Sequence, residues 1–114
     1  MEKLEVAIKS IGIEVKPEIL ENLRNFGNFI EKYNKTQNLT ANKSWDEIRD
    51  NLFIRSLSIY KILGNLNLTN LKIIDVGTGS GIPGLLIKIL NPETNICLLD
   101  SNKKKVEFLR KVVS

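Results

Sequence analysis

Residues 73–85 read Ile-Ile-Asp-Val-Gly-Thr-Gly-Ser-Gly-Ile-Pro-Gly-Leu, and no other stretch of the chain restricts its fold as tightly. A β-branched run with an acid near its end gives way to glycines at 77, 79 and 81, and an apolar helical pattern follows. Glycine lacks a Cβ, so it reaches φ > 0 without strain and lets a ligand lie against bare backbone N–H groups. The pattern therefore predicts a strand, a tight turn and a helix start, with a nucleotide-like cofactor as the natural occupant of the turn.

The flanking sequence extends this unit. Leu71 to Val76 reads as a short strand and Pro83 to Leu90 as a helix with Pro83 in its first turn. Asn91-Pro92 breaks that helix, and Asn95 to Leu99 is a second apolar strand. Ser101 or Asn102 then caps a last helix whose apolar positions are Val106, Leu109 and Val113. Two apolar strands joined by a helical crossover imply a parallel, right-handed unit with its ligand site beyond the strands' C-terminal ends. Asp75, Gly77 to Gly81 and Asp100 all fall at that edge.

Upstream the period is helical. Leu4, Ala7, Ile8 and Ile11 form a stripe that stops at Gly12; Pro17 opens a second helix carrying Ile19, Leu20, Leu23, Phe26, Ile30 and Tyr33. Gly27 inside it costs about 1 kcal/mol relative to alanine, which points to a close neighbour. The polar run Asn34 to Lys43 reads as a loop. Ser44 and Glu47 form a capping box for a helix that carries Ile48, Leu52, Phe53, Leu57, Tyr60 and Leu63, and Gly64 can close it. The fold class is thus α/β. A helical region over 1–66 precedes the first β-α-β-α of a Rossmann-like domain over 67–114. That domain reads as truncated, because an open parallel sheet normally has about five strands.

Composition removes several function classes. The chain has no histidine and one cysteine, which nearly excludes a zinc site and any triad built on imidazole. Cys97, between apolar neighbours, reads as an inert thiol in a buried strand. No apolar run approaches the roughly 18 residues of a membrane span and the N-terminus lacks a signal-peptide pattern, so the cytoplasm is the expected location. The sequence does not fix the oligomeric state, for which a monomer is favoured. The net charge of +4 is carried entirely by residues 101–114, where Lys103, Lys104, Lys105, Arg110 and Lys111 face Glu107 alone. Such a cluster suits a nucleic-acid backbone, although lysines on an amphipathic helix also serve as a solvated face.

Two patterns overlap on the glycines. Gly79-x-Gly81-x-x-Gly84 satisfies the dinucleotide fingerprint, whereas Asp75-x-Gly77-x-Gly79-x-Gly81 resembles the first motif of S-adenosylmethionine-dependent methyltransferases. Register favours the second, because the strand gives way at Gly77 and a dinucleotide reading would start two residues late. An acid at the end of the first strand suits the ammonium of S-adenosylmethionine, and the glycine loop suits its carboxylate and ribose edge. Asp100 stands 19 residues after Gly81, close to the roughly 20-residue spacing at which an acid meets ribose hydroxyls. The plainer alternative is a tight turn whose acids, Asp75 and Asp100, cap neighbouring helices.

Three segments carry a closer resemblance: Tyr33-Asn34-Lys35-Thr36-Gln37-Asn38-Leu39-Thr40, Asp75 to Gly84 with its Ile82-Pro83-Gly84 ending, and Leu98 to Arg110. On these the chain resembles the N-terminal half of the ribosomal RNA small subunit methyltransferase G family, also called glucose-inhibited division protein B. The resemblance implies an S-adenosylmethionine-dependent bacterial enzyme that methylates N7 of a guanosine in 16S rRNA, with 16S rRNA or a small-subunit precursor as partner. It places Gly77, Ile82 and the Asp100-Ser101-Asn102 turn in the cofactor pocket, beside Asp75, Gly79 and Gly81. It also raises the weight of RNA contact at Lys103, Lys104 and Lys105. Where the family typically shows Arg-His-x-x-Asp-Ser-Leu, this chain has Asn51-Leu52-Phe53-Ile54-Arg55-Ser56-Leu57. A non-catalytic, truncated RNA-binding remnant of the fold is therefore the alternative, with a dinucleotide oxidoreductase a distant third.

Overall fold

A computed structural model of the chain describes residues 1–63, 72–77 and 80–113, with the side chains of Gln37, Leu63 and Lys104 left out. Gly64 as a helix stop, Leu71 as a strand start, the boundary at 66/67, and Gly79 lie outside the described residues.

Helix α1 (Glu2–Ser10) buries Leu4 and Ile8 and ends before Gly12, whose φ of +85° turns the chain out of the helix. Helix α2 (Pro17–Gln37) begins on Pro17, where a missing N–H costs nothing, and runs one turn beyond the expected stop near Tyr33. The reason is Asn34. Its side chain is buried and serves the loop that follows: Oδ1 accepts the Thr40 N–H at 2.9 Å and Nδ2 donates to the Asn42 carbonyl at 3.0 Å. With its polar atoms engaged there, Asn34 does not compete for the helix's own hydrogen bonds. The helix closes at Asn38 in the left-handed region, φ 48°.

The capping box forms as its residues require. Ser44 Oγ accepts the Glu47 N–H at 3.2 Å, and Glu47 Oε1 accepts the Ser44 N–H at 3.3 Å. Helix α3 (Trp45–Glu47) passes without a break into a π-helical segment, Ile48–Ile54, and then into α4 (Arg55–Leu63). Phe53 in the π segment stacks on Phe26 of α2 at 5.4 Å and meets Trp45 edge-on at 5.9 Å. Gly27 supplies the close approach its cost implied: a Cβ there would run into the Trp45 ring.

Strands β1 (Lys72–Val76) and β2 (Asn95–Leu99) pair in parallel, with Lys72 opposite Asn95 and Val76 opposite Leu99, and helix α5 (Gly84–Leu90) crosses between them. Pro83 is the cap of α5 rather than a member of its first turn. Helix α6 (Lys103–Val113) packs against α2. One buried cluster runs through α1, α2, the π segment, α4, α5 and α6, with Leu4, Phe26, Phe53, Leu86 and Phe108 among its members.

Two sequence expectations about burial fail, the first because helices cover one face of the sheet among the described residues. Cys97 is exposed, on the same pleat as Ile74, Val76 and Leu99, which are 55, 77 and 46 % exposed. Alternate residues on the other pleat lie under α5, where Asp75 and Leu98 sit against Gly84. On α6 the buried residues are Phe108 and Leu109, whereas Val113 is 67 % exposed. The core side is set by contact with α2, so Phe108 takes the place expected of Val113.

Candidate functional site

The strand ends converge through one hydrogen bond. Gly77, just past β1, donates its N–H to the Leu99 carbonyl at 2.8 Å, extending the ladder by one step and bringing the loop to the end of β2. Gly77 has φ +70°, and a Cβ built on it would meet nothing within 4 Å. The open side of Gly77 faces a cleft of about 280 Å³ lined by Val76, Gly77, Leu99, Asp100 and Ser101. Among the described residues, five from two strand ends thus line the crevice that the β-α-β reading places there. Since the Gly77 N–H is engaged by Leu99, the glycine offers the cleft an absent side chain rather than a donor.

Asp100 and Asn102 build the far wall. Asp100 is half-buried and its Oδ1 accepts the Asn102 N–H at 2.9 Å; Asn102 Oδ1 in turn accepts the Lys105 N–H at 3.3 Å and caps α6. Of the two expected caps, Asn102 is the one used, and Ser101 stays exposed at the cleft.

The remaining loop residues turn inward. Asp75 lies beneath the start of α5, where its Oδ2 accepts the Gly84 N–H at 3.0 Å, and it is not among the cleft-lining residues. It thereby satisfies one of the helix's unpaired donors and fixes where the loop ends. Gly81 has φ +98°, and a Cβ there would lie 2.6 Å from Leu85 Cδ1 and 3.2 Å from Phe26 Cζ. Gly84 lets α5 settle on the sheet, with Leu98 and Asp75 against the space a Cβ would fill. Ile82 is half-buried and packs on the core. The described glycines therefore divide: Gly77 opens onto the cleft, while Gly81 and Gly84 serve packing.

Lys103, the first residue of α6, is exposed next to the turn that lines the cleft, Lys105 is half-buried, and the Lys104 side chain lies outside the described residues. A larger cavity lies elsewhere. It is an apolar groove of about 730 Å³ along β2 between α5 and α6, lined by residues including Leu85, Ile96, Leu98, Val106 and Leu109. Among the described residues no group of three or more His, Cys, Asp or Glu gathers as metal ligands, and no helix is long and apolar enough to cross a membrane.

Sequence reasoning missed two clusters. The first is the Asn34 network, extended by Asn51 Nδ2 donating to Asn42 Oδ1 at 2.9 Å, which ties the loop to the π segment. Its signal was the density of asparagines between 34 and 51. The second surrounds Tyr33, where Lys32 and Lys111 each place an ammonium over the ring. No local pattern reveals it, because Tyr33 and Lys111 meet only when α2 and α6 pack.

Comparison with known proteins agrees with the fold. Residues 19–114 match the family model for rRNA small subunit methyltransferase G. A protein of that name from Ureaplasma parvum serovar 3 is 49% identical over 82 residues, covering 71% of this chain and 38% of the relative. One from Acinetobacter baylyi is 34% identical over 114 residues, 100% of this chain and 51% of the relative. One from Moorella thermoacetica is 39% identical over 106 residues, 93% of this chain and 43% of the relative. The chain thus spans 38 to 51% of the length of these three relatives.

Proposed function

Because the chain belongs to the rRNA small subunit methyltransferase G family, we propose that it carries the cofactor-binding start of a cytoplasmic, S-adenosylmethionine-dependent enzyme that methylates N7 of a guanosine in 16S rRNA. The observation that carries this reading is the cleft between Gly77 and Asp100 at the C-terminal ends of two parallel strands. Its lining suits the cofactor's ribose edge. The bare Gly77 backbone admits a ligand, the Asp100 carboxylate can accept hydrogen bonds from hydroxyls, and Ser101 adds a hydroxyl at the rim.

The other site residues act by positioning. Asp75 holds the start of α5, and through it the loop's exit; Gly81 and Ile82 seat the loop on Phe26 and the core; Asn102 fixes the turn that aims Asp100. When bound, S-adenosylmethionine supplies a methyl group on a sulfonium. Guanine N7 bears a lone pair and no proton, so the protein's task is alignment and exclusion of water rather than general-base catalysis. Lys103 and Lys105, with Lys104 between them, are assigned to RNA phosphate.

The test is the modification state of 16S rRNA from a strain lacking this gene, read by mass spectrometry of nuclease digests. Loss of one N7-methylguanosine, restored when the gene is returned, supports the proposal. An unchanged digest contradicts it.

A further inference from the structure

The Tyr33 cluster is not used by the cofactor cleft. Lys32 on α2 places its Nζ 5.5 Å from the Tyr33 ring centroid, and Lys111 on α6 places its own 5.0 Å away. The ring is held from two further sides, by Phe29 stacked at 6.1 Å and by the buried Phe108 edge-on at 5.8 Å. The ring's negative face attracts both ammonium groups and holds them at one point of the surface. Lys35, exposed in the last turn of α2, adds a third cation on the same helix end, and Arg110 precedes Lys111 on α6. The acids nearby in sequence are Glu31 and Glu107.

Folding collects these charges from helices 66 or more residues apart in sequence, and it sets them on a tyrosine immobilised by packing. A polyanion is complementary to such a cluster of cations. On α6, Lys103, Glu107 and Lys111 recur at four-residue steps and so share one stripe. From Lys103 at the cleft to Lys111 the helix rises about 12 Å. The stripe thus joins the Tyr33 cluster to the site of the proposed chemistry, interrupted by the single acid Glu107.

We infer that Lys32 and Lys111, preorganised on the Tyr33 ring with Lys35 beside them, form an anchor for the RNA phosphate backbone, from which the strand runs along α6 toward the Gly77–Asp100 cleft. The choice of RNA as the polyanion rests on the function proposed above; the anchor itself rests on the ring and its cations. Tyr33 is a positioning residue, since Phe29 and Phe108 occupy its flanks and it holds the lysines rather than stacking a base.

The test is fluorescence anisotropy of a fluorescein-labelled single-stranded oligouridine titrated with the full 114-residue chain between 50 and 200 mM salt. Each phosphate-bound cation contributes about 0.7 to the slope of log K against log salt. K32Q/K111Q is therefore expected to flatten the slope by about 1.4, so that wild-type affinity falls about sevenfold more than the variant's over that range. K16Q/K61Q, which removes two exposed lysines elsewhere, is expected to leave the slope near wild type, and E107Q to tighten binding. No binding by the wild-type chain, an unchanged slope in K32Q/K111Q, or an equal loss in K16Q/K61Q overturns the anchor. So does binding to phosphatidylserine vesicles in place of RNA. Loss of the rRNA modification in the gene-deleted strain combined with an unchanged K32Q/K111Q slope sinks the anchor alone. The reverse pair of results sinks the methyltransferase reading and leaves the anchor standing.

Discussion

Alanine at Gly77, Gly81 and Gly84 separates what the loop does for a ligand from what it does for packing. At Gly77 the left-handed backbone costs an L-residue about 1–2 kcal/mol, and the stiffer unfolded chain returns about 0.4–1, so the net loss is about 1 kcal/mol. Nothing lies within 4 Å of the new methyl, which projects into open space at the cleft. At Gly81 the same backbone cost is joined by a Cβ 2.6 Å from Leu85 Cδ1 and 3.2 Å from Phe26 Cζ. Phe26 is 2 % exposed and stacked on Phe53, so it cannot yield; overpacking adds about 1–3 kcal/mol and the total is about 2–4. At Gly84 the backbone is ordinary, yet the methyl meets Leu98 and lies 2.9 Å from Asp75 Oδ2, for a loss of about 1–3 kcal/mol. Urea unfolding followed by circular dichroism gives the stabilities, and calorimetry with S-adenosylhomocysteine gives the affinities. The expected stability order is Gly77→Ala least harmed and Gly81→Ala most. The expected binding order places Gly77→Ala lowest among variants that remain folded. A Gly77→Ala variant that loses more than about 3 kcal/mol, or that binds the ligand as the wild type does, refutes this division of roles.

Three other outcomes follow from the described contacts. Asn34→Ala removes two hydrogen bonds to backbone groups and is expected to cost about 2–4 kcal/mol in urea unfolding, with Asn34→Asp failing to rescue because it cannot donate to the Asn42 carbonyl. The hydrogen bond from Arg49, and then that from Lys3, hold the Asp50 carboxyl at about 2 against an ordinary 3.8. A depressed folded-state value stabilises above the unfolded value and is lost as pH falls, so the difference between wild type and Asp50→Asn should fade between about pH 4 and pH 2 in acid titrations. Cys97 is exposed and should react with a water-soluble thiol reagent in native buffer nearly as fast as in urea; protection in native buffer would contradict its placement.

How much of this was legible in the sequence depends on how local the cause is. The Ser44–Glu47 box, the strand Asn95–Leu99 and the break at Asn91-Pro92 are set by neighbours a few residues away, and all three form as read. Asn34 misled because its local preference for loops is overridden by partners six and eight residues on. Cys97 misled because apolar neighbours report burial only when both sheet faces are covered, and here the face it shares with Ile74 and Val76 is bare among the described residues. In the site, spacing located Gly77 and Asp100 at one crevice. It could not separate a glycine that faces a ligand from one that faces Phe26, nor show that Asp75 turns toward Gly84. Those distinctions arise from helix α2 packing on the loop, a contact of residues more than 50 apart in sequence.

The central claim is that the cleft between Gly77 and Asp100 is the cofactor site. An amide chemical-shift titration of the isotopically labelled chain with S-adenosylhomocysteine tests it most directly, since it registers even millimolar binding residue by residue. The account predicts shifts concentrated at Val76, Gly77 and Leu99 to Asn102. Shifts confined to the groove between α5 and α6, or none at saturating ligand, would contradict it.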